Sequence, residues 1–165
     1  MTQTLTLKQS QTYLWSAMFI AANIALPHLF HLIPGGGVMF LPIYFFTLIA
    51  AMRFGWQMAL LTAVMTPVVG YVAFGAPAAA MIPDMLLKGA ALSLVGAFVA
   101  QRFGRNIACC AGAVVAAFAL VGLAEWPFMG AAYAFQDFVT GLPGMAMMML
   151  GAWVASKIST RNPSL

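Results

Sequence analysis

Charge is what this chain has least of. It carries seven lysines and arginines and three acids in 165 residues, so that 6% of it is charged, where a soluble domain has about a quarter. Hydrophobic residues make up 64%. A chain with so little polar surface cannot cover itself in water, which excludes a soluble domain and makes lipid its solvent. The net charge of +4 does not point to nucleic acid, because the basic residues are too few and too dispersed to form a phosphate-binding patch. Cysteine is scarce as well. Cys109 and Cys110 are adjacent within an apolar segment, neighbouring cysteines rarely pair, and both read as small apolar helix residues. Other absences bear on chemistry. There is no glycine-rich phosphate loop with a lysine, no Gly-x-Ser-x-Gly, no His-Glu-x-x-His and no acidic metal pair. The chain is expected to be no enzyme, with no ATPase of its own, no cofactor and no metal.

What is present is a series of six apolar segments, at about 13–32, 39–52, 57–74, 83–100, 107–123 and 138–156. In hydrocarbon every backbone polar group must be satisfied within a helix or a closed barrel. These segments are rich in Ala, Leu and Met and lack alternation of period two, which argues against a barrel. The expected fold is an all-α membrane protein, with residues 1–165 forming one compact bundle of six transmembrane helices. Pro67 and Pro143 predict kinks or local breaks. The second segment is short, as expected of one that is tilted or begins inside a protein-lined cavity. The polar Thr2–Thr12 stretch precedes a first apolar segment of about 20 residues, long enough to span, which predicts a retained helix rather than a cleaved signal.

The few charges are sorted by side. Lys8, Arg53, Arg102, Arg105, Lys157 and Arg161 fall at segment ends that share one face of a membrane. Asp84, Glu125 and Asp137 fall at ends that share the other. By the positive-inside rule the basic face is cytoplasmic, so both termini are expected in the cytoplasm, with the protein multi-pass in a bacterial inner membrane. The outer connections are then Pro34–Val38, Gly75–Ile82 and Glu125–Asp137, and the two longer ones point to function on the outer side. Lys88, one turn into the fourth segment, departs from the sorting.

Five constellations stand out. Ala17, Ala21 and Ala25 are four residues apart and share one face of the first helix, a spacing that lets another helix approach closely in lipid, either within the monomer or from a partner. Asp84 and Lys88 are four apart at the start of the fourth helix. A lysine inside a membrane segment is costly and suggests a site, where it would meet a ligand carboxylate or phosphate, or else only Asp84. Glu125, Trp126, Tyr133, Gln136 and Asp137 form an outer rim whose aromatic and polar groups suit a small polar ring compound; an interface belt with Asp137 as a helix N-cap accounts for them equally. His28 and His31 are interfacial histidines or hydrogen-bonding ligand contacts, since no third His or Cys joins them in the outer loops to build a metal site. The Pro34-Gly35-Gly36-Gly37 run suits either a flexible cover over a pocket or a tight turn.

Several of these stretches taken together carry a resemblance. They are the Ala-x-x-x-Ala-x-x-x-Ala face, Phe40-Leu41-Pro42-Ile43-Tyr44-Phe45-Phe46 followed by Met52-Arg53-Phe54-Gly55-Trp56, Thr66-Pro67, Phe74-Gly75-Ala76-Pro77 with Ile82-Pro83, and Gln136-Asp137-Phe138 with Gly141-Leu142-Pro143-Gly144. In this order the chain resembles the substrate-binding S component of energy-coupling factor (ECF) importers, in the subgroup of unassigned ligand. The resemblance implies high-affinity binding of a vitamin or related micronutrient on the outer side. It also implies docking through Ala17, Ala21 and Ala25 on a transmembrane coupling subunit that carries two ATP-binding cassette subunits, and closure of the Pro34–Gly37 loop over the ligand. The second residue is Thr2, where the nickel- and cobalt-binding members have a Met-His start. The expected pocket contains Lys88, Glu125, Asp137 and Asp84, with Asn23, His28, Tyr44, Trp126 and Gln136. Mixed charge there suits a zwitterion, or an anionic group beside hydrogen-bonding ring atoms.

The alternative is a non-transporting six-helix membrane scaffold of the rod-shape-determining type, with an empty pocket. An intramembrane protease needs a Ser–His or Asp–Asp pair at membrane depth, and Ser93 has no such neighbour in the pattern.

Overall fold

The computed structural model describes residues 5–30 and 41–160, with side chains to Pro27 in the first stretch and to Lys157 in the second. The side chain of His28, together with His31 and the Pro34–Gly37 run, lies outside the described residues. Every regular element among the described residues is helical: α1 (Ser10–Phe30), a 3-10 turn (Pro42–Tyr44), α2 (Phe45–Phe54), α3 (Trp56–Phe74), a second 3-10 turn (Ala79–Met81), α4 (Ile82–Arg102), α5 (Ile107–Met129), α6 (Ala131–Thr140) and α7 (Leu142–Thr160). Three of these are long and apolar enough to cross a membrane, Trp56–Phe74, Ala79–Arg102 and Ile107–Met129. The α6–α7 pair, bent by 50°, makes a fourth if counted as one span. Lipid contact accounts for bulky side chains left on the outside, such as Val72, Phe98, Leu123 and Phe128.

The short second segment is the hub. Helix α2 packs against α1, α3, α4 and α7, and Thr47 to Met52 are all buried. A helix enclosed by protein does not have to match the bilayer thickness, which explains its 10 residues. Leu48 and Met52 join Leu92, Val114, Phe118 and Met148 in the larger apolar cluster, and Ala50, Ala51 and Phe54 join Met58, Ala59 and Ala97 in a second. Small residues set the helix spacing. A Cβ placed on Gly89 of α4 would stand 2.9 Å from the Ala63 Cβ of α3, and one on Gly96 would stand 3.1 Å from the Ala51 Cβ of α2. This is the close backbone approach that small-residue faces permit in lipid.

The helix boundaries have local reasons, and one of them departs from the sequence expectation. The Asn106 side chain accepts a hydrogen bond from the Cys109 backbone N–H at 2.7 Å, an N-cap that starts α5 where the pattern placed it. Its far end runs on to Met129, and the expected Glu125–Asp137 loop is instead the end of α5 plus α6. Alanine and aromatic residues there continue the helix, and Gly130, at φ 87°, supplies the reversal that a side chain would resist. The sixth segment does break in its first half, as its Gly141-Leu142-Pro143 sequence implies, and Pro143 takes the second position of α7, where its missing N–H costs nothing. Pro67 lies inside α3, whose helix continues past it to Phe74.

The charge sorting becomes geometry. The Leu5 N–H donates to the Phe54 carbonyl at 2.9 Å and the Leu7 N–H to Gln57 Oε1 at 3.1 Å, which sets Lys8 beside the Arg53 turn. The Ser156 hydroxyl lies 3.2 Å from the Arg105 carbonyl, which sets Lys157 near the Arg102–Arg105 turn. Asp84 is in the first turn of α4 and Arg102 in the last, so the acids gather at the opposite end of the bundle.

Candidate functional site

At that end, helices distant in sequence deliver four charged side chains to one point. Pro83 at the start of α4 places Asp84 in its first turn, where a carboxylate complements the positive end of the helix dipole. One turn on, Lys88 points inward, fixed in depth by the Gly89–Ala63 contact just described. Glu125 sits one turn before the end of α5, where a carboxylate meets the negative end of the dipole and depends on an outside cation. Gly130 turns the chain so that Asp137, in the second half of α6, faces the same point.

The Lys88 ammonium lies 2.8 Å from Asp84 Oδ2, 3.0 Å from Asp137 Oδ2 and 4.0 Å from Glu125 Oε1. It also donates to Asp137 Oδ1 at 3.1 Å. The first two carboxylates are hydrogen-bonded ion pairs, and the third is held by charge alone, beyond hydrogen-bond distance. Lys88 is 5% exposed and Glu125 8%, whereas the side chains of Asp84 and Asp137 are 28% and 22% exposed. The two aspartates are therefore the side through which the cluster meets its surroundings, with Lys88 and Glu125 behind them. Asp84 Oδ1 and Glu125 Oε2 are buried, and no N–H or hydroxyl donor reaches them; the Asp84 and Glu125 carboxyls are instead in hydrogen-bonding contact with each other. Buried Tyr44 lies within electrostatic range of all three acids and packs edge-on against Phe118.

The cluster thus unites Lys88, Glu125, Asp137 and Asp84 from the expected pocket, with Tyr44 buried nearby. It does not unite the others. Trp126 and Gln136 are exposed, on the same helices as Glu125 and Asp137 but turned outward, and Tyr133 is exposed too. Asn23 is fully buried, and its hydrogen-bonding capacity is used inside the bundle: its Oδ1 accepts from the Phe46 N–H at 3.0 Å, and its Nδ2 donates to Thr47 Oγ1 at 3.3 Å and Thr66 Oγ1 at 3.5 Å. It holds α1 to the start of α2. Asp137 lies within α6, so the helix N-cap expected of it falls away: the helix starts at Ala131 rather than after Asp137.

Sequence spacing could announce the Asp84–Lys88 pair, because both lie on one helix. It could not announce Asp137, which is 49 residues from Lys88, and the i,i+4 rule says nothing across helices. Among the described residues no group of three His, Cys, Asp or Glu side chains is placed to hold a metal ion. Comparison with protein-family models, with curated proteins and with solved structures found no match.

Proposed function

We propose that this chain is the S component of an ECF-type importer, binding a vitamin-like micronutrient at the acidic end of the bundle and delivering it inward. The observation that carries the reading is the buried, incompletely paired charge cluster at the end opposite the basic residues. A bundle that only had to be stable in lipid gains little from four clustered charges, two of them buried, whereas ionisable groups inside a membrane protein mark substrate paths. In this reading the basic end is cytoplasmic, α1 and the short α2 complete a set of six spans, and both termini lie inside the cell. The chain sits in the bacterial cytoplasmic membrane and docks on a transmembrane coupling subunit with two ATP-binding cassette subunits, which supply the ATP hydrolysis. Ala17, Ala21 and Ala25 support the docking role, because all three are exposed while Ser16 and Asn23 on the same helix are buried.

The test is co-expression with the coupling and cassette subunits, isolation of the assembly, and uptake of a vitamin panel into proteoliposomes. Assembly with ATP-dependent uptake of one compound is the expected result. Failure to assemble, with no compound bound, sinks the reading. A second reading, the non-transporting scaffold, draws on the pairing of Lys88 with Asp84 and Asp137, which ties α4 to α6 without any ligand. Under it, depletion changes cell shape rather than nutrient dependence.

A further inference from the structure

We infer that the ligand group received at the Lys88–Glu125 cluster is a cation, a planar protonated nitrogen group with at least two N–H donors. The inference rests on the import reading and specifies its substrate class. Three carboxylates surround one ammonium, so the cluster is short of positive charge. A proton shared between Asp84 and Glu125 would reduce the imbalance without removing it, because two ionised carboxylates would still face one lysine. An uncompensated charge held partly out of water is costly unless a cation joins it.

Hydrogen bonding points the same way. The Lys88 ammonium has three donors, and they are directed at Asp84 and Asp137, so little remains for an incoming anion. The groups left for a ligand are acceptors. Glu125, more than nine-tenths buried, directs Oε1 at Lys88, and Glu125 Oε2 and Asp84 Oδ1 have no donor other than a proton shared between the two carboxyls, which an incoming cation would replace. Two buried acceptor oxygens on neighbouring carboxyls match a forked pair of N–H donors, as in an amidinium, a guanidinium or a protonated aminopyrimidine ring. A divalent metal fits less well, because Lys88 already occupies the position central to all three carboxylates, and a metal ion would carry a concentrated charge against it. A delocalised organic cation spreads its charge away from the ammonium. The partly exposed Asp84 and Asp137 leave it an approach from outside.

The test uses three compounds of nearly one shape, benzamidine, benzamide and benzoate, titrated by calorimetry into the full chain in lipid nanodiscs. Benzamidine is expected to bind about tenfold more tightly than benzamide, the usual advantage of charge-assisted over neutral hydrogen bonds, and benzoate more weakly than both. Glu125→Gln, which keeps the side chain's size, is expected to abolish the preference for benzamidine over benzamide, with Glu125→Asp retaining part of it. Preference for benzoate, no binding of benzamidine, or an unchanged preference in folded Glu125→Gln overturns the inference. Assembly with the coupling subunit is measured on the same preparation. A chain that assembles and prefers benzoate keeps the import reading and loses the cation, and a chain that prefers benzamidine but does not assemble does the reverse.

Discussion

Lys88 Nζ stands 3.0 Å from Asp137 Oδ2, although 49 residues separate the two and they belong to different helices. The contact clamps α6 onto α4, and α6 is otherwise amphipathic and largely exposed. Removing the cation leaves three carboxylates facing one another. Lys88→Met is therefore expected to destabilise the bundle by about 3–5 kcal/mol, the range for breaking one side of a buried ion pair, whereas Asp137→Asn costs much less because Asp84 still pairs the lysine. Denaturant unfolding in detergent, followed by tryptophan fluorescence, checks the order. Equal losses in the two variants would show that the clamp is not organised around Lys88.

The buried amide of Asn23 makes a different kind of contact. It bonds the Phe46 N–H in the first turn of α2, a donor that the helix itself cannot satisfy, and it reaches Thr47 and Thr66. Asn23→Leu removes all three contacts while keeping a similar volume. The expected loss is about 1–3 kcal/mol, the cost of leaving buried polar groups without partners, and it falls on the α1–α2–α3 junction. Hydrogen exchange would show faster opening at Phe46 and Thr47 with the Lys88 end unchanged. Unchanged protection at Phe46 would remove the capping role.

How far the chain was legible follows the same division between local and distant. The apolar segments and their helical state could be read because lipid leaves the backbone few choices, and the shortness of α2 is explained once protein surrounds it. The basic and acidic ends could be read from position alone. The gathering of Lys88, Asp84, Glu125 and Asp137 at one end follows from the same sorting, but the direct pairing of Lys88 with Asp137 could not be read, since no periodicity links α4 and α6. Lys88 allowed two readings by spacing, an anionic ligand group or a bridge to Asp84, and the structure directs its donors at Asp84 and Asp137. Asn23 was visible as a polar residue in an apolar helix, but its partners were not, so a ligand contact and an internal bond looked alike. The polar and aromatic residues of the α5–α6 stretch resemble those of a connection, while its alanines support helix.

Gly89 offers a test of how the site is held. Its missing side chain lets α4 approach α3 so closely that a Cβ would stand 2.9 Å from that of Ala63. Gly89→Val is expected to cost about 1–3 kcal/mol through overpacking and to displace the adjacent Lys88, weakening its coupling to Asp137. Ala63→Gly in the same chain makes room and is expected to restore part of the loss. A double-mutant cycle between positions 63 and 89, read by thermal unfolding, measures the rescue. Additive effects would mean that the two helices yield independently there.

The last prediction concerns the outside of α1. Ala17, Ala21 and Ala25 are exposed, on a helix whose buried face carries Thr12, Ser16 and Asn23. An exposed alanine stripe gives a single chain nothing that leucine would not give in lipid, but it lets a second helix come close. Ala21→Trp places a large ring on that exposed stripe, whereas Asn23 of the polar network is buried. The variant is expected to unfold at the same denaturant concentration as the parent and to bind benzamidine with the same affinity, while losing co-purification with the coupling subunit and hence uptake. Ala21→Gly, which keeps the stripe small, is expected to retain assembly. If Ala21→Trp assembles normally, the stripe is lipid-facing surface and docking lies elsewhere. If it unfolds, the same substitution at Met18, also exposed on α1, separates a general intolerance of α1 to bulk from a loss specific to the alanine face.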